Sequence, residues 1–99
     1  KGHFLVIPKK HSEEFYDVED ETLAIVLKVA KNIGYKVAQL YNVDGMTFMQ
    51  NNGLFKDVSH YHLHGFPRFK NDGFKWIEPN YEPTEEELHK TFQSIKKLL

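Results

Sequence analysis

The sequence predicts a small α+β domain. Three observations carry that reading. Residues 3–7 form a short apolar, β-branched run; one apolar stripe with helical spacing extends over residues 20–41; and histidines alternate with Tyr61 and Leu63 at residues 60–64.

The first element, His3-Phe4-Leu5-Val6-Ile7, reads as a strand stopped by Pro8, which has no N–H for a ladder. His3, Leu5 and Ile7 share one face, Phe4 and Val6 the other. The acidic stretch 12–21 reads as the solvated start of a helix, with carboxylates at the positive end of its dipole. Leu23, Val26, Ala30, Ile33, Val37 and Leu40 then recur at spacings of 3 and 4 and define a long helix over 20–41. Gly34 interrupts it at a cost of about 1 kcal/mol against Ala, which suggests a close packing contact. Asn42 and Asp44-Gly45 end it. A strand is predicted at 46–50, a turn at Asn51-Asn52-Gly53, and a third strand over about 58–67. Segment 70–83 reads as a loop. Thr84 with Glu87 matches a capping box, and Leu88, Phe92, Ile95 and Leu98/Leu99 stripe a final helix. Without repeats or a linker, residues 1–99 read as one domain.

Composition narrows the function. The formal charge is −1, so there is no basic footprint for duplex nucleic acid. No apolar run approaches the roughly 20 residues that span a bilayer. There are no cysteines, hence no disulfide or thiolate metal site, a composition that fits the cytoplasm. The chain starts with Lys1-Gly2 directly before a strand, and the expectation is that a further N-terminal segment precedes it.

The informative segment is His60-Tyr61-His62-Leu63-His64. In a strand, residues i, i+2 and i+4 project from one face, roughly 6.6 Å apart in successive pairs. A lone strand histidine is usually structural; three in a line make poor core, because burying imidazole costs desolvation. Two chemistries remain. One is a metal site, in which two histidines grip an ion with a third ligand from His64, His3 or His11. Its difficulty is that His60 and His64 lie about 13 Å apart on an extended backbone, with Asp57 the nearest acid. The other is nucleophilic attack on phosphorus by an imidazole whose second nitrogen is anchored, with neighbours stabilising the phosphoryl oxygens. That chemistry requires no metal or cofactor.

His60-Tyr61-His62-Leu63-His64-Gly65-Phe66, with Pro67-Arg68 after it, resembles the signature of the histidine triad family. Gly2-His3-Phe4-Leu5-Val6-Ile7-Pro8-Lys9-Lys10-His11 and Asn51-Asn52-Gly53 resemble two further blocks of that family, in the same order. The resemblance covers roughly residues 1–69. It implies an antiparallel sheet carrying the triad, packed by the long helix, and a homodimer. It implies that His62 is the nucleophile forming a nucleotidyl-histidine, that His64 hydrogen-bonds the phosphate, and that the His60 carbonyl holds the second nitrogen of His62. His3 becomes a fourth member of the cluster, and Asn51 contacts the phosphate or leaving group. Lys9, Lys10, His11 and His89 are read as solvated or peripheral. The implied substrates are nucleoside phosphoramidates or dinucleoside polyphosphates. Phe55-Lys56-Asp57 departs from the family's usual Gly-Gln-Ser/Thr. Asp57 would repel a phosphate, and Lys56 is the residue placed to compensate. Gly65 stands where a bulky apolar residue is usual and is expected to open space beside His64. The altered stretch keeps a rival reading open: a nucleotide-binding or scaffold protein with little turnover.

Overall fold

Asp20–Tyr41 form a 22-residue helix, α1, in a computed structural model that describes residues 1–99. Asp20 and Glu21 occupy its first turn, where the dipole favours acids. It ends where Asn42 turns left-handed (φ 47°) and donates its N–H to the Ala38 carbonyl. Val26, Ala30 and Gly34 are its buried residues; Leu40, at the end of the predicted stripe, is exposed.

Three strands form one antiparallel sheet: β1 (Phe4–Val6), β2 (Gly45–Met49) and β3 (Leu63–Arg68), in the order β1-β3-β2. Phe4 pairs with Gly65 and Val6 with Leu63 on one side; Phe48 pairs with Gly65 and Met49 with His64 on the other. The core lies between α1 and the sheet: Val6, Val18, Val26, Ala30, Tyr61 and Leu63, with Phe4 and Leu23 packed against it.

The third strand begins later than predicted, at Leu63 rather than near 58. The reason lies in its neighbours. The β1 ladder ends at Val6, two residues before Pro8, and the β2 ladder ends at Met49 opposite His64. Upstream of Leu63 the chain takes other partners: the Tyr61 N–H donates to the Ser12 carbonyl at 2.6 Å.

Gly65 also departs from expectation. It faces the helix layer and leaves no space beside His64, because the Phe4 ring covers it. A Cβ there would meet two ring carbons of Phe4 at 2.8 and 2.9 Å. Gly34 of α1 makes room in the same way for the Phe48 ring, which explains a glycine in mid-helix. Gly65→Val is expected to destabilise the fold by about 1–3 kcal/mol, the usual range for overpacking. Urea unfolding measures it, and an unchanged midpoint would show that the Phe4 ring moves aside freely.

Glu85–Leu98 form α2, capped reciprocally by Thr84 and Glu87 as predicted. This helix packs on none of the other elements. Leu88, Phe92 and Ile95 are each more than half exposed. The radius of gyration is 17.0 Å, against about 13 Å for a compact chain of this length.

Candidate active site

The face of β3 turned away from α1 carries His64 and Phe66, continued upstream by His62. On β1, Leu5 is paired with His64, and His3 precedes the strand on the same side. His62 is buried at 7% exposure. Its Nδ1 lies 2.7 Å from the His60 carbonyl oxygen. A carbonyl can only accept, so Nδ1 carries the proton and Nε2 carries the free lone pair. His64 stacks edge-on to His62, with ring centroids 4.8 Å apart, and its Nδ1 lies 3.0 Å from His3 Nε2. Burial, then the neighbouring His62 and His3, push the His64 imidazole below its ordinary range, while Asp57 opposes that shift.

The His60 ring leaves this cluster. Its Nε2 bonds the Pro8 carbonyl at 3.0 Å, and the ring meets His11 edge-on at 5.0 Å. The row of three therefore divides: the His62 and His64 rings stack together, and the third gives its carbonyl to His62 and its ring elsewhere. Lys9 and His11 are exposed, Lys10 pairs with Glu19 at 2.9 Å on the surface, and His89 stands on exposed α2.

A cleft of about 460 Å³ opens beside the cluster, lined by His3, Asn51, Asp57, His64, Phe66 and Phe74 among others. Asn51 thus reaches the site, while its neighbour Asn52 accepts from the Phe15 N–H at 3.0 Å. The acidic stretch is more than a solvated helix start. Glu14 accepts from the Gly53 N–H at 3.1 Å and pairs with Lys56 at 2.6 Å, which clamps the turn leading to Asp57. Each partner shifts the other: Lys56 holds the Glu14 carboxyl low, and Glu14 holds the Lys56 ammonium high. Lys56 is therefore occupied and does not offset Asp57, as the sequence had suggested. Asp57 Oδ2 lies 3.9 Å from His64 Nε2.

The far wall was not legible in the sequence. Arg68, at the end of β3, binds Asp72 through Nε at 2.6 Å, reaches Thr47 Oγ1 at 3.1 Å and the Phe74 carbonyl at 3.0 Å, and covers the Phe74 ring at 4.6 Å. Asp72 also accepts from the Phe69 and Phe74 N–H groups. This knot carries Phe74 to Phe66, with centroids 5.3 Å apart, and so builds an aromatic side to the cleft. The Arg68 guanidinium and the two amides hold the Asp72 carboxyl far below the usual carboxylate range. A carboxyl lowered by folding stabilises the fold above its ordinary value near 3.8, and that contribution is lost as pH falls through the folded value. Asp72→Asn is accordingly expected to lower the thermal midpoint at neutral pH, with the gap to wild type narrowing below about pH 4. Melts across that range test it; a gap that stays constant to about pH 2 would refute it.

Fold and site together define an α+β domain with a histidine cluster on the open face of an antiparallel sheet. The HIT domain family model matches residues 1–71, and the chain belongs to that family. It is 39% identical to a HIT-like protein of Borreliella burgdorferi, aligned over 80% of this chain and 60% of that one. It is 33% identical to an adenosine 5'-monophosphoramidase of Schizosaccharomyces pombe, over 89% of this chain and 65% of the other. The crystal structure of a HIT family protein from Bacillus anthracis superimposes with a TM-score of 0.88 at 32% identity, covering 100% of this chain and 74% of that one. The chain spans between about half and three-fifths of the length of three HIT-like relatives.

Proposed function

We propose that this domain hydrolyses nucleoside phosphoramidates or dinucleoside polyphosphates at the α-phosphorus through a nucleotidyl-histidine. The observation that supports the reading is the His62–His60 contact, because it leaves a buried imidazole with a free lone pair stacked on His64, which lines the cleft. In the first step, His62 Nε2 bonds to phosphorus and the bond to the amine or nucleotide leaving group breaks, the leaving group departing with a proton. In the second, water attacks the same phosphorus, the P–N bond to His62 breaks, and a nucleoside monophosphate leaves. His64, donating from Nε2 while Nδ1 accepts from His3, stabilises the phosphoryl oxygens. Asn51 supplies a further donor from the cleft wall. The S. pombe relative, an adenosine 5'-monophosphoramidase, favours the phosphoramidate branch.

A second copy of the chain is proposed as its partner. The apolar residues of α2 and the groove along α1 and β2, lined by Leu27, Tyr35, Met46 and Phe48, are surfaces that a homodimer would cover. No helix is long and apolar enough to cross a membrane. The test of the reaction is release of adenosine monophosphate from adenosine phosphoramidates by the full-length protein in chelator. A protein that binds nucleotide without turnover would favour the scaffold reading instead.

A further inference from the structure

We propose that Asp57, His62 and His64 form a binding site for a divalent transition-metal ion, with zinc the best-fitting occupant. One ligand atom from each lies within 4.8 Å of the other two. The donor set, two imidazoles and one carboxylate, is a common zinc set, and it leaves room for an exchangeable ligand. His60, which the spacing had offered as a ligand, is excluded because its ring is held on Pro8.

The surroundings of the two histidines matter more than the count. A histidine that binds metal ordinarily donates its other ring N–H to a neighbouring acceptor, which fixes the tautomer and orients the ring. His62 has that arrangement, and His64 takes it in the tautomer opposite to the one used in the proposed reaction. His62 Nδ1 is anchored on the His60 carbonyl at 2.7 Å, and His64 Nδ1 lies 3.0 Å from His3 Nε2. When His64 donates across that contact and His3 accepts, both Nε2 atoms turn free lone pairs toward Asp57. His3 is then a positioning residue, acting through His64.

The ligand atoms stand wider apart than in a closed zinc site, and the ion would draw them together. Zinc bonds of about 2.0–2.2 Å set tetrahedral ligand atoms about 3.3–3.5 Å apart. The Asp57 Oδ2–His64 Nε2 gap is 3.9 Å and no pair of the three exceeds 4.8 Å; the Asp57 side chain is 73% exposed, so its carboxylate is free to turn toward the two rings. The cleft gives an entry path and room for a water or a phosphate oxygen at the remaining position.

Coordination uses the lone pair on His62 that the proposed reaction needs, so a bound ion and nucleotide attack exclude each other. The binding claim itself stands apart from that reaction and is read without it. Full-length protein is stripped with chelator and then titrated with cobalt(II), followed by visible absorption, and with zinc, followed by calorimetry. One equivalent of ion with a low-symmetry cobalt spectrum is expected. Asp57→Asn is expected to weaken zinc at least ~10-fold, and His64→Gln more, while His11→Gln leaves it unchanged. Should a variant misfold, paramagnetic broadening of the His62 and His64 ring signals in wild type, ahead of other histidines, carries the test. Binding unaffected by Asp57→Asn, broadening centred on other residues, or no binding by folded wild type would overturn the proposal.

Discussion

Replacing His62 by alanine is expected to lower monophosphate release from an adenosine phosphoramidate by ~10⁴-fold or more, with folding intact. Removing a covalent nucleophile leaves only the binding and charge-stabilising groups, and comparable losses elsewhere reach ~10⁶. Two measurements separate this outcome from a structural defect. Circular dichroism and nucleotide binding should match wild type, because His62 lies outside the hydrophobic core cluster. Acid quench during turnover should give wild type a nucleotidyl adduct by mass, and the variant none. His64→Gln should cost less, about 10²–10³-fold, since it removes one donor to the phosphoryl oxygens and keeps the nucleophile. A folded His62→Ala protein that turns over within tenfold of wild type, or forms the same adduct, would end the assignment.

Much of the fold was readable because its signals are local. The α1 stripe, the Asn42 stop and the Thr84–Glu87 box each depend on residues within a few positions of one another, and the bounds of α1 agree with its periodicity. The histidine row was readable as a place but not as a geometry. Alternation predicts three rings on one strand face; it cannot know that the β1 ladder ends at Val6, so that His60 turns its ring to Pro8. The pairing of Glu14 with Lys56, 42 residues apart, is likewise set by tertiary approach. Nothing in a run of acids marks the one that clamps a distant turn. Phe74 and the Arg68–Asp72 knot were hidden for another reason. Asn71-Asp72-Gly73 reads as generic turn chemistry, and only the turn's position beside β3 makes it a wall of the cleft. Gly65 shows the limit of comparison with a family pattern: a small residue suggests space, but the ring of Phe4 already fills it.

Asp57→Asn is expected to shift substrate preference toward dinucleoside polyphosphates by about tenfold in relative kcat/KM. The carboxylate stands within 4.8 Å of the ring nitrogens of His62 and His64, on the cleft wall, and Lys56 is committed to Glu14. A polyphosphate leaving group brings several negative charges into that region; an amine brings none and gains positive charge as it is protonated. One charge pair about 6 Å apart at an effective dielectric of about 40 amounts to roughly 1.4 kcal/mol, or tenfold. The wild-type carboxylate is therefore expected to favour amine leaving groups, and a phosphoramidate with a cationic side chain should benefit most. Competition between a phosphoramidate and a dinucleoside polyphosphate in one reaction, with chelator present, measures the ratio independently of the active fraction. Because Asp57 is largely exposed, added salt should compress the wild-type preference and leave that of the variant nearly unchanged. If the ratio stays constant on substitution, or moves toward phosphoramidates, Asp57 does not act through its charge on the leaving group.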